Sequence, residues 1–195
     1  MIQHAVRRLP ILALSATAAA VCAALTLAAP APADPGQIPD LSGYAPAKAA
    51  DYDQGYFIYP ATNGVQFTGP GGYRCRMEYT GKANVTETMC WGSLPATTQN
   101  FVGVLTGPMP TAPAAFSTKD NLSSMDVYDD AKKVFAGPGG QTPQKTFGPQ
   151  DYKPLPAGSK LTYNDGQTCA VTGTTTICEI GQHGFLLSPE GNQTF

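Results

Sequence analysis

The chain has 195 residues, with 12 Lys and Arg against 14 Asp and Glu, and only 13% of its residues are charged. No Lys/Arg run or basic patch stands out, which argues against nucleic acid and anionic membrane surface as partners. Gly and Pro number 21 and 18, and with abundant Thr and Ala they favour turns and β structure over long helices.

Residues 1–33 read as a secretory signal peptide. Arg7 and Arg8 form a basic start, residues 11–27 are apolar, and Ala31-Pro32-Ala33 offers small residues before a cleavage point placed after Ala33. The apolar run approaches bilayer length, so a retained anchor is the alternative. A twin-arginine route fits poorly around Arg7-Arg8, and Val21 precedes Cys22 where a lipobox wants a small residue. All fourteen acids follow Ala33 and two of the twelve bases precede it, so the mature chain carries 10 minus 14, about minus 4. Its length suits one domain. Neither a membrane span nor a cofactor is implied for the mature chain.

Residues 34–55 lack sustained periodicity and are punctuated by Pro and Gly, which predicts an extended lead-in. A single β-rich domain is expected over 56–195. Residues 56–59 form a short aromatic run stopped by Pro60, and Val65-Gln66-Phe67 resumes after a turn; both are strand candidates. Residues 73–79 alternate apolar and charged, the period of a strand with one wet face. Residues 85–91 return to complete a hairpin, with Trp91 expected beside the cysteine bridge. Residues 92–115 are Pro-rich, carrying Pro95, Pro108, Pro110 and Pro113, and only 101–105 within them resembles a strand. Pro-rich tracts can serve as ligands for aromatic grooves, but the tract reads as a surface loop.

A helix is predicted from Ser123 or Ser124 to Phe135, where Met125, Tyr128, Ala131 and Val134-Phe135 recur at helical spacing. Ser123 caps it, Asp126 lies in its first turn, Lys132-Lys133 near its end, and Gly137 follows; a polar loop is the alternative. Residues 137–158 are turn-rich. Aligning Phe67-Thr68 with Leu161-Thr162 then places Gly72 on Gly166 and Cys75 on Cys169, a partial internal repeat over 65–91 and 160–180. Each copy closes on a second cysteine, Cys90 or Cys178, about a turn at Gly81-Lys82 or Gly173-Thr174. Placing Pro189 on Pro70 brings Gly191 onto Gly72 and Thr194 onto Cys75, a third unit without a crosslink, which makes Phe185 and Phe195 core or edge residues. The expected fold is mainly β, a small antiparallel sandwich or barrel-like domain with disulfide-braced hairpins and at most one short helix.

Four cysteines in an exported chain read as two disulfides. The favoured pairs are Cys75 with Cys90 and Cys169 with Cys178, because opposed residues of an antiparallel pair sit at separations a disulfide spans; bridges joining the two copies are the alternative. A metal site is disfavoured, since neither pair has close C-x-x-C spacing and a single histidine, His183, follows Ala33.

The pieces Phe67-Thr68-Gly69-Pro70-Gly71-Gly72-x-x-Cys75 and Leu187-Ser188-Pro189-Glu190-Gly191-Asn192, with the Ala-Pro-Ala-Asp-Pro region, resemble those of small secreted proteins of mycobacteria and related actinobacteria, with their Phe, Ser-Pro-Ser-Gly-type turn and following Cys. Gly69 and Gly71 depart from the pattern in the first copy and Thr194 in the last. The resemblance implies export to the envelope or culture fluid and brings no catalytic residue with it.

For nucleophilic catalysis His183 is the one available histidine base after cleavage, but no G-x-S-x-G accompanies it. Asp126, Asp129 and Asp130 cluster on the predicted helix, and Asp51 and Asp53 are neighbours; such carboxylates suit hydrolysis by a carboxylate pair or form a solvated acidic face. Neither cluster has the calcium-loop pattern, and Gly69-Pro70-Gly71-Gly72 lacks a phosphate-loop ending. Asn84, Asn121 and Asn192 begin N-x-S/T triplets. The sequence reading is thus an exported, non-catalytic binding or structural module, secreted or cell-wall associated, with an unidentified extracellular or envelope partner. The alternatives are a hydrolase using a carboxylate pair and a protease-inhibitor-like protein presenting residues 80–84 or 171–175.

Overall fold

The structure, a computed structural model, describes residues 39–56, 62–109, 112–129, 144–164 and 166–195. The signal-peptide assignment, Asp130 and the distal part of the predicted helix lie outside the described residues. Among those described, no helix is long and apolar enough to cross a membrane.

The chain is mainly β and forms a sandwich. A seven-stranded sheet contains β2 (Asp53–Tyr56), β3 (Thr62–Thr68), β4 (Arg74–Thr80), β5 (Val85–Trp91), β6 (Phe101–Thr106), β7 (Ala112–Ser117) and β10 (Lys153–Pro154). Its order is β10-β3-β4-β5-β6-β7, with β2 also on the β3 edge. A six-stranded sheet runs β1-β11-β12-β13-β14-β15, from β1 (Ala45–Pro46), β11 (Ser159–Tyr163), β12 (Gln167–Val171), β13 (Thr176–Ile180), β14 (His183–Leu187) and β15 (Gln193–Thr194). The repeat seen in the sequence is therefore a repeat of sheets, because β3 to β7 and β11 to β15 follow the same antiparallel order. One crossing joins them: β1, ahead of the first copy, pairs in parallel with β11 of the second, and β10, ahead of the second, pairs in parallel with β3 of the first.

Side-chain alternation decides what each strand buries. On β4, Cys75 and Met77 turn toward the other sheet; on β3, Val65 and Phe67 do so, and on β6, Val102 and Val104. They meet Leu161, Val171, Ile180, Phe185 and Leu187 from the six-stranded sheet. Each large side chain so buried contributes about 1.5 to 3 kcal/mol. Both disulfides lie in this interface, at the expected pairs, with Cα atoms 4.1 Å apart in each and all four cysteines fully buried. Cys75 faces Cys90 and Cys169 faces Cys178 in register, so each bridge ties the two central strands of its copy. The Gly69-Pro70 and Ser188-Pro189 turns are alike, each closed by a glycine amide bonding back three residues, Gly72 to Gly69 and Gly191 to Ser188, both at 3.1 Å.

Several elements differ from the sequence reading. Regular structure starts before Tyr56, with β1 and the head of β2 inside the expected lead-in. Strand β7 begins within the Pro-rich tract; it is an edge strand, where Pro113 removes no ladder bond that the sheet needs. Where a helix was predicted, Leu122–Asp126 is a 3₁₀ turn capped by Asn121 rather than Ser123, and β8 (Val127–Asp129) follows, paired with β9 (Gln144–Thr146) in a separate two-stranded sheet. Trp91 is buried, but on the face opposite its neighbour Cys90. It packs edge-on to Tyr152, with ring centroids 6.0 Å apart, away from the disulfide.

Candidate functional site

The outward face of the seven-stranded sheet carries the charges that alternation suggested were wet, Arg74, Arg76 and Glu78 on β4, and beside them Glu87 on β5. Apolar residues stand among them, Met89 and Trp91 from β5 and Phe101 from β6. Instead of water, this face meets a cap formed by the 3₁₀ turn, β8, β9 and residues 147–152, which supplies Leu122, Met125, Tyr128, Phe147 and Tyr152. Phe147 N–H bonds Asp126 O at 2.8 Å, joining the two arms of the cap.

Arg76 is at the centre, with no solvent exposure. Its guanidinium donates to Gln66 Oε1 at 3.3 Å, Glu78 Oε1 at 3.2 Å, the Met125 carbonyl at 2.9 Å, the Tyr152 hydroxyl at 2.8 Å and the Tyr128 hydroxyl. Rings of Tyr128, Trp91 and Phe147 lie 4.5, 4.9 and 5.4 Å from its central carbon, within cation–π range. Burial opposes the Arg76 charge, but Tyr128 and Glu78 beside it outweigh that, so its pKa lies above the ordinary arginine value. The same burial pushes both tyrosine hydroxyls well up, so they stay neutral. Arg74 adds a second pair, Nη1 to Asp126 Oδ2 at 2.5 Å, and Asp126 Oδ1 accepts from Tyr152 at 2.6 Å.

Among the described residues, the structure brings one of the sequence-predicted acids, Asp126, here. Asp126 is buried and paired with Arg74 and Tyr152, so it is not part of a solvated face. Asp129 lies on β8 in register with Gln144, and Asp51 and Asp53 are exposed. His183 opens β14, half-buried, opposite Ile180 across the Gly181-Gln182 turn. Among the described residues no group of three His, Cys, Asp or Glu could hold a metal. Residues 80–84 and 171–175 are tight turns, closed by Asn84 N–H to Gly81 O at 3.3 Å and Thr172 N–H to Thr175 O at 2.8 Å. A surface pocket of about 270 Å³ opens between the glycine-proline turns, lined by Pro70, Tyr73, Pro95 and Pro189 among others. The Tyr73 hydroxyl there is already spent on Thr176 at 2.7 Å.

Sequence reasoning missed Arg76, Glu78, Glu87, Gln66 and Tyr152. Three charges in step on β4, in register with Met89 and Trp91, were the available signal; the cap that covers them comes from far along the chain. No protein-family model matches the chain, and no curated protein or solved structure matches it.

Proposed function

We propose that the chain is an exported, non-catalytic binding or structural module of the cell envelope or extracellular space. The observation that carries this reading is the pair of fully buried disulfides at the centre of the sandwich, since such bonds form and persist in oxidising compartments. The apolar N-terminal segment and the resemblance to small secreted actinobacterial proteins point the same way. A hydrolase needs acids that meet substrate; Asp126 and Glu78 are instead occupied by Arg74, Arg76, Tyr128 and Tyr152 beneath the cap. An inhibitor loop is commonly extended, whereas both candidate segments are short closed turns.

The test is expression of the full chain in an exporting host, followed by intact mass before and after reduction. The expected product is extracellular or wall-bound, starts at Asp34, and gains four hydrogens on reduction. A product held in the cytoplasm with free thiols would defeat the proposal.

A further inference from the structure

The capped face holds one pairing that strand chemistry disfavours. Register between β4 and β5 sets Glu78 directly opposite Glu87; residues so opposed have Cβ atoms about 5 Å apart, and like charges there repel. The strands cannot slip to relieve it, because the Cys75–Cys90 bridge clamps them three residues away. Oxygen Oε1 of Glu78 is occupied by Arg76 and by the Tyr128 hydroxyl. Glu87 is half-buried and makes no ion pair or side-chain hydrogen bond among the described residues. Charged and titratable groups around the pair include Arg76 on β4, Tyr128 on β8, Tyr163 on β11 and Lys119 beyond β7, whose Nζ sits 4.6 Å from the Phe101 ring. Gln54 is only 4% exposed, with neither amide atom bonded; a Cβ added to Gly64, the residue opposite Glu78 on the other side, would stand 2.9 Å from its Nε2.

The cap above this pair shares no backbone ladder with either large sheet among the described residues. Side chains seat it: Arg74 on Asp126, Arg76 on Met125 and Tyr128, Tyr128 on Glu78, and Lys145 on the Gln54 carbonyl at 3.3 Å. We propose that Glu87 keeps a proton opposite the Glu78 carboxylate beneath the β8–β9 cap, and that loss of this proton loosens the cap, so that its seating depends on pH.

With Glu87 protonated, the one negative charge of the pair is the Glu78 carboxylate, which Arg76 balances. A second ionisation places an additional anion where little water reaches it. In agreement, burial first and Glu78 second push the Glu87 carboxyl up to about 7, with Lys119 pulling the other way. An acid whose folded pKa is raised stabilises the closed form at low pH and loses that contribution as pH climbs through the raised value. Lifting the cap rehydrates the pair, so deprotonation and opening favour each other by linkage.

The experiment is amide hydrogen exchange on the full oxidised chain at pH 5.5 and pH 8, each rate divided by its intrinsic rate at that pH. Cap amides, with Phe147 and the β8–β9 ladder as reporters, are expected to lose at least tenfold in protection at the higher pH, while β12 and β13 hold theirs. In Glu87→Gln the cap should keep its protection at both pH values. Cap protection that ignores pH in the wild type, or falls equally in Glu87→Gln, overturns the proposal. Should the variant fail to fold, carbon-13 titration of the wild-type Glu87 carboxyl decides: a step near neutrality is expected, and one below pH 5 overturns it.

Discussion

Replacing Arg76 by Met keeps most of the stem and deletes the guanidinium. Four acceptors and one carboxylate then lose their donor inside a closed space: Gln66 Oε1, the Met125 carbonyl, both tyrosine hydroxyls and Glu78. Removing one partner of a buried pair costs about 3 to 5 kcal/mol, mostly from the charge left behind, and loss of the ring contacts adds about 1 kcal/mol. Against a total stability of about 5 to 15 kcal/mol, a loss near 4 kcal/mol is large. With a urea dependence of about 2 kcal/mol per molar, the unfolding midpoint should fall by about 2 M. Trp91 is the sole tryptophan, with Arg76 on its face and Tyr152 at its edge, so its fluorescence reports the event directly. The double variant Arg76→Met/Glu78→Gln removes the stranded charge and should regain at least half of the loss. A single variant within about 1 kcal/mol of wild type, or a double variant no better than the single, would refute the argument that charge pairing holds this layer together.

Two further outcomes follow from the geometry. Replacing Cys169 and Cys178 together by Ser should cost about 3 kcal/mol on the chain-entropy estimate for so short a loop, and the Cys75/Cys90 pair should cost a similar amount despite its longer span; calorimetry of each double variant measures both. A Cβ on Gly184 would stand 2.2 Å from the Cys178 carbonyl and 2.7 Å from the Phe195 ring, whereas one on Gly173 meets nothing within 4 Å. Gly184→Ala is therefore expected to cost about 1 to 3 kcal/mol as the strands are forced apart, with Gly173→Ala near neutral in the same melting experiment.

The hairpins were legible because two local signals coincide in them: period-two alternation over 73–79 and cysteines placed symmetrically about a turn. Strand β7 was hidden because Pro113 argues against a central strand, and nothing local says that the position is an edge. The predicted helix drew on spacings at Met125 and Tyr128 that are real, yet those residues are held by Arg76 and Phe147 instead of by a neighbouring helical turn. Tertiary partners overrode local propensity there. The wet face of β4 was misjudged for a related reason: Arg76 meets Tyr128 and Tyr152, separated from it by 52 and 76 residues, and alternation cannot tell water from a distant cap.

The crossed pairing of β1 with β11 and β10 with β3 has a bearing on when the chain can fold. During synthesis the first copy emerges with half of its β3 edge unguarded, because Lys153 and Pro154 are still to come. The second copy, in turn, needs Ala45 and Pro46, made long before. Contacts so distant in sequence form slowly, and an open strand edge is incomplete until its partner arrives. The first copy therefore has its full β3 edge only after residues 153–154 have been made, and the second closes its own edge with residues made at the start.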